Sequence, residues 1–210
     1  FALRSGVEAL SKIAVDLKVS IPVGKDSLSM RTKWSENNSD YEVSSPLSGV
    51  ITAMAPVDDV TESVTPELNT SDDTSILLIK LNNKNRLAGS IFSEITETKY
   101  QHTPDIDDIE VFEKLFSGIQ NLLKNKKILA MHDISDGGLI TTLLEMCFTK
   151  KVGMRMDLDD SSGVNEFLFS EEIGFAIQIK KNNLDEVTNT LNNIAVSIFL
   201  NTKRFSTTTT

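Results

Sequence analysis

The sequence predicts a mixed fold of helices and strands, α/β or α+β, and three observations carry that prediction. From Ser75 onward, short apolar runs alternate with stretches whose apolar residues repeat at helical spacing. Two polar, glycine-bearing segments each follow directly on an apolar run, Ile-Pro-Val-Gly-Lys-Asp-Ser-Leu-Ser-Met at 21–30 and Met-His-Asp-Ile-Ser-Asp-Gly-Gly-Leu at 131–139. The 210 residues are 40% apolar and 24% charged, the balance of a globular chain that buries a real core.

In chain order, Leu3, Val7, Leu10, Ile13, Ala14 and Leu17 fall on one stripe, which predicts an amphipathic helix over 3–17. Residues 19–23 predict a short buried strand that delivers the loop 24–30. The polar stretch 31–40 predicts a hairpin with Asn37-Asn38-Ser39-Asp40 at its tip. Residues 50–57 predict a strand closed by Pro56. One helix and a few strands cannot bury each other's faces, so this half reads as the end of a domain. The Thr/Ser/Asp-rich stretch 58–73 has the character of a linker.

The second unit opens with a strand over 75–81, then a helix within 87–96 after Ala88-Gly89-Ser90. Residues 107–123 predict a strong helix, with Val111, Leu115, Ile119 and Leu122 on one face and acids in its first turn. A strand over 128–131 runs into the second motif, with a helix over 138–148 behind it. Strands over 152–158 and 175–179 and a helix over 184–191 complete the pattern. The Thr-rich end, 201–210, is low in complexity and reads as frayed.

Composition excludes several classes. No stretch approaches ~18 consecutive apolar residues, so no membrane span is expected. The N-terminal residues lack the basic and long apolar regions of a signal peptide, and they start inside a helix, which points to a fragment. A single cysteine, Cys147, rules out an intramolecular disulfide and a cysteine-based zinc cluster, and its helical spacing suits core packing. A cytoplasmic protein fits. The net charge of −9 argues against nucleic acid as partner but leaves room for a nucleotide with Mg2+. Acidic clusters at 105–113 and 157–160 read as solvated faces.

Both motifs suit an anionic ligand. Glycine lets backbone amides approach, and a short acid reaches a hard cation. Gly24-Lys25-Asp26-Ser27 lacks the Gly-x-x-x-x-Gly-Lys-Ser/Thr spacing of a Walker loop. Its residues still suit phosphate chemistry: Lys25 as a point charge, Asp26 for a cation or ribose hydroxyl, Ser27 and Ser29 as hydroxyl donors. A polar turn after a strand accounts for the segment equally well. His132-Asp133 would suit a metal phosphohydrolase, but the only other histidine is His102, so His132 reads as a packing or orienting residue. Asp133 is the candidate Mg2+ ligand, at the end of a strand where α/β sheets place ligand groups. Gly137 and Gly138 open the backbone beside it, and Asp136 is expected to cap the following helix. Ser170-Glu171-Glu172, before the last long strand, could meet an amine, a hydroxyl or a hydrated metal. An exposed acidic turn is the plainer reading.

Taken in order, the motif at 21–30, Ser45-Pro46-Leu47-Ser48, Ala55-Pro56-Val57-Asp58-Asp59-Val60, Arg86-Leu87-Ala88-Gly89-Ser90, Pro104-Asp105-Ile106-Asp107-Asp108, the motif at 131–139 and Leu168-Phe169-Ser170-Glu171-Glu172-Ile173-Gly174 closely resemble the large, single-chain phosphoribosylformylglycinamidine synthases of purine biosynthesis. The resemblance runs over roughly residues 5–190. It implies the second half of a pseudo-symmetric synthetase core of the aminoimidazole ribonucleotide synthetase-like superfamily. Residues 1–73 would be the end of the N-terminal-type α/β domain plus linker, 74–200 the C-terminal-type domain, and 201–210 an off-family tail.

The implied reaction converts formylglycinamide ribonucleotide, ATP and glutamine to formylglycinamidine ribonucleotide, ADP, phosphate and glutamate, through an iminophosphate displaced by ammonia. By the same resemblance Asp133 matches a Mg2+ ligand and Ser135 a contact to ATP or ADP, in a site that holds a structural nucleotide. The loop 25–29 matches a pocket loop, and Ser170, Glu171 and Glu172 lie in a matching motif. The remaining ligands, the first synthetase half and the glutaminase domain are absent, so the chain is expected to be inactive alone and to self-associate through the open face of its first helix. This sequence departs from the family at Ala88, where the family has glycine. A free-standing nucleotide-binding or interaction module that reuses the fold is the alternative.

Overall fold

Residues Thr74–Lys80, Thr-Ser-Ile-Leu-Leu-Ile-Lys, carry apolar side chains on both faces of a strand, and that decides the architecture around them. A strand apolar on both sides needs cover on both sides. The computed structural model describes residues 2–27, 30–70, 73–156, 163–194 and 197–201. It divides the chain into two compact units, Phe1–Asp58 and Asp59–Thr210.

In the second unit this strand (β3) lies inside a four-stranded sheet with Ile128–Asp133 (β4), Gly174–Lys180 (β5) and Ser197–Asn201 (β6), in the order β4-β5-β3-β6. All three pairings are antiparallel. The sheet is therefore α+β rather than a doubly wound parallel sheet. Ser90 caps a one-turn helix, Ile91–Ile95 (α2), and Asp108 caps Ile109–Lys124 (α3) by accepting from the N–H groups of Glu110 and Val111. Gly138–Lys150 (α4), Val164–Phe169 (α5) and Leu184–Asn192 (α6) complete the unit.

Alternation along the strands sorts the core into two layers. Leu77, Ile79, Ile177 and Ile179 pack against Leu115, Ile119 and Leu122 of α3 and Val187 and Leu191 of α6. Ile76, Leu78, Ala130 and Ala176 face Leu139, Leu143, Met146 and Cys147 of α4 and the fully buried Leu68. Burial raises the Cys147 thiol pKa, in keeping with a packing role.

The stretch expected as a linker departs from that reading. Within it Asp59 caps a short 3-10 turn, Val60–Glu62, and the Thr65 carbonyl accepts from the Met131 N–H. The fully buried Gln178 bonds both the N–H and the carbonyl of Asn69. Leu68 and a buried amide partner hold these residues on the sheet more firmly than their polar composition suggests.

The first unit holds Ala2–Asp16 (α1) and a hairpin of Arg31–Glu36 (β1) and Ser39–Ser44 (β2). Asn37 and Asn38 both take positive φ, the pattern of a two-residue primed turn, so the tip is two residues rather than four. Trp34 stacks on its cross-strand partner Tyr41 at 5.2 Å. No described residue of this unit is buried. The strands expected at 19–23 and 50–57 are absent: Val23 is 82% exposed and Val50 94%, and neither run has a strand to pair with. The described part of the run at 152–158 holds an isolated bridge rather than a strand, and 157–160 lie outside the described residues. Conversely, α5 and β6 arise where no element was expected. Among the described residues no helix is long and apolar enough to cross a membrane.

Candidate functional site

The loop after β4 is built from the strand outward. Asp133 is the last residue of β4 and its side chain is 65% exposed. The Asp133 carbonyl accepts from the Thr142 hydroxyl at 3.0 Å, which ties it back onto α4. The Ile134 N–H donates to Gly174 at 2.9 Å and its side chain turns into the core, leaving Ser135 and Asp136 outward. His132 lies 2.8 Å from the Glu145 carboxylate and 2.9 Å from the Asp133 carbonyl oxygen, so it braces the strand end against α4.

Gly137 and Gly138 both have positive φ. A Cβ on Gly138 would fall 2.6 Å from the Phe169 carbonyl carbon, so this glycine serves close packing against the end of α5. The cap expected of Asp136 does not form. Gly137 occupies that position in a left-handed conformation, where an acid side chain has no route back to the helix amides.

Glu171 and Glu172, adjacent in sequence, diverge. Glu172 is 1% exposed, and its carboxylate takes the Arg86 guanidinium at 2.5 and 2.7 Å and the Arg86 N–H at 3.1 Å. Burial alone would raise its pKa. The hydrogen bonds and charge of Arg86 outweigh burial and hold it below the usual carboxylate value. Arg86 continues to Asp107, which also pairs with Lys84 at 2.8 Å. Lys80, at the end of β3 and 2% exposed, donates to the Lys84 carbonyl at 2.7 Å and to Asn85 at 2.5 Å. Burial lowers its pKa to about 8, against the pull of Glu172. Glu171 reaches two backbone amides, Ile91 and Gly137, both at 2.9 Å. Ser170 is 3% exposed. The acidic turn expected at 170–172 is thus mostly interior, with Ser170 and Glu172 buried.

The loop 24–27 is exposed throughout, and the Lys25 ammonium bonds Ser27 within the loop. Nothing lies within 4 Å of a Cβ built on Gly24. Ser29 lies outside the described residues. The two loops belong to different units. Within the second unit the structure brings together Asp133, Ser135, Gly137, Gly138 and Glu171, and Lys25, Asp26 and Ser27 lie on the loop of the first unit. Sequence reading missed the work of Arg86, Lys80 and Glu145. Arg86 stood in a noted motif, but no local signal links it to Glu172, and Lys80 reads as the polar end of an apolar strand.

Among the described residues no three His, Cys, Asp or Glu side chains gather to hold a metal. Asp133 presents one exposed carboxylate at the strand end, a single oxygen donor rather than a gathered ligand set.

The sequence profile described as the AIR synthase related protein, C-terminal domain, matches residues 73–197, and that described as the FGAR-AT PurM_N-like domain matches residues 1–56. Among solved structures, PurL of Thermotoga maritima complexed with ATP is 11% identical with a TM-score of 0.50, over 77% of this chain and 24% of that one. Phosphoribosylformylglycinamidine synthase II of the same organism is 10% identical at the same score and the same coverage. PurL complexed with FGAR is 10% identical at 0.50, over 77% of this chain and 26% of that one. These likenesses show the fold, and the chain spans about a quarter of the length of those structures. With more than half of its residues matched by the C-terminal domain profile, the chain belongs to the AIR synthase related family.

Proposed function

We propose that this chain is a part of a formylglycinamide ribonucleotide amidotransferase, the ATP- and glutamine-dependent ligase that makes formylglycinamidine ribonucleotide in cytoplasmic purine synthesis. Its contribution is one side of a Mg2+–nucleotide site. The observation that carries this reading is the exposed carboxylate of Asp133 on a loop fixed from four directions, by Thr142, Gly174, Glu171 and His132. Preorganised oxygen donors of this kind cost little ordering when a ligand arrives. Matches to domains of such an enzyme at both ends of the chain support the assignment.

In this reading Asp133 is a metal ligand and the Ser135 hydroxyl faces the nucleotide, while Gly137 and Gly138 let the loop turn closely beside it. Bound Mg2+ would neutralise phosphate charge. Lys25, Asp26, Ser27 and Ser29 serve a phosphate-facing loop of the first unit. Ser170 and Glu172 act by holding the neighbouring loops. Catalysis requires the remaining synthetase and glutaminase domains, so the chain alone is inactive. In isolation it self-associates through the apolar stripe of α1, where Val7 is 50% and Leu10 38% exposed. Sedimentation equilibrium showing a clean monomer would contradict that last point.

Calorimetric titration of ADP and ATP, with and without Mg2+, tests the site. Micromolar binding that needs Mg2+ and disappears in Asp133→Ala supports it. Binding that survives the substitution removes Asp133 from the metal site.

A further inference from the structure

The Glu171 side chain meets two loops that are distant in sequence. Its Oε1 accepts from the backbone N–H of Ile91, beside the Ala88-Gly89-Ser90 turn, and from the N–H of Gly137, beside Asp133 and Ser135. We infer that Glu171 is a positioning residue that locks these two loops to each other. The geometry of the Asp133 loop then depends on a carboxylate outside it.

Three contacts of the same short segment make the lock specific. Glu172, the next residue, is held by Arg86, so the backbone that carries Glu171 is anchored on its far side. Phe169, two residues before, stacks on Phe92 at 4.6 Å, which fixes the segment against α2. The Phe169 backbone also presses on Gly138 so closely that no side chain fits there. Residues 168–172 therefore pack on α2 through Phe169 and on Gly138 through their backbone, and the Glu171 carboxylate hydrogen-bonds the start of α2 and the loop after β4. A charged oxygen holds two amides more firmly than a neutral one would. It also satisfies two donors that helix starts otherwise leave open.

The lock stands on this geometry. Its consequence for a ligand rests on the nucleotide reading proposed above. The test is amide hydrogen exchange on the full 210-residue chain as wild type, Glu171→Ala and Glu171→Gln, followed by titration of each with Mg2+–ADP. In Glu171→Ala the Ile91 and Gly137 amides should both exchange about tenfold faster, while amides at the centres of β3 and β5 keep their rates. Glu171→Gln keeps a side-chain carbonyl oxygen and should restore part of the protection. Mg2+–ADP should bind Glu171→Ala several-fold more weakly than wild type. Faster exchange at only one of the two amides, at neither, or evenly across the sheet would overturn the lock. A wild-type chain that takes no Mg2+–ADP would remove the nucleotide reading, and the two amide rates would still decide the role of Glu171.

Discussion

Two glycine-bearing loops of this chain have similar compositions and very different surroundings. The loop at 133–138 leaves β4, an edge strand of the four-stranded sheet that packs against α4, and Thr142, Gly174, Glu171 and His132 fix it within six residues. The loop at 24–27 follows an extended run with no strand partner, and its Lys25–Ser27 bond holds it only to itself. Acids, hydroxyls and glycine are present in both. What distinguishes them is the shell of packed residues behind the loop, which the first unit does not provide among its described residues. A motif names the chemistry a loop could perform, but the packing behind it decides whether the groups are held in place.

Breaking the shell should have the largest effect. Glu172→Ala leaves the Arg86 guanidinium without its main partner in a nearly closed setting, and should cost about 3–5 kcal/mol of stability, read by denaturant unfolding. The same pair gives a pH dependence. The folded-state pKa of Glu172 is lowered, so its contribution is present above the ordinary glutamate value and is lost as pH falls through the lowered folded value. The wild type should therefore lose its advantage over Glu172→Gln on acidification, and parallel curves from pH 7 to pH 3 would contradict this.

Gly138→Ala should cost about 2–4 kcal/mol, because the new methyl meets the Phe169 backbone and φ is positive there. It should also weaken nucleotide binding, which separates the loop from a merely permissive turn. Lys80 shifts in the same direction as Glu172, so its contribution also rises with pH, but in the alkaline range. Its folded pKa is depressed to about 8, so its contribution to stability rises as pH climbs from about 8 towards its unfolded value of 10.5. The wild type should gain on Lys80→Met across that window, and a constant gap would show that Lys80 is not held neutral. The smallest effects belong to exposed positions. Asp133→Ala should leave the unfolding midpoint nearly unchanged, within about 0.5 kcal/mol, and Trp34→Ala should cost about 1 kcal/mol or less in the hairpin alone.

The sequence made the second unit legible wherever the pattern was long. The stripe Leu115, Ile119 and Leu122 places α3, and the apolar run of β3 reports burial on both faces. Helix α5, six residues with no side-chain cap, and β6 gave no comparable period. Residues 19–23 and 50–57 have strand-like composition, yet a strand forms only with a partner, and composition does not report whether one exists. The alternation of strands and helices left α/β and α+β both open. All three pairings, β3 and β4 with β5 and β3 with β6, are antiparallel, which local pattern cannot show. At the site, Asp133 and Ser135 were visible as polar residues after a strand. The Arg86–Glu172 pair was invisible because its partners stand 86 positions apart. Ser170, Glu171 and Glu172 looked like a surface turn for the same reason: what buries them comes from far along the chain.

The most direct test maps Mg2+–ADP onto the chain by backbone amide chemical shifts in the full 210-residue protein. The account predicts that shifts centre on Asp133, Ser135 and Gly137, with a weaker echo at Ile91, while Lys25 to Ser27 respond less. Shifts centred on Lys25 to Ser27, with the loop after β4 silent, would contradict it.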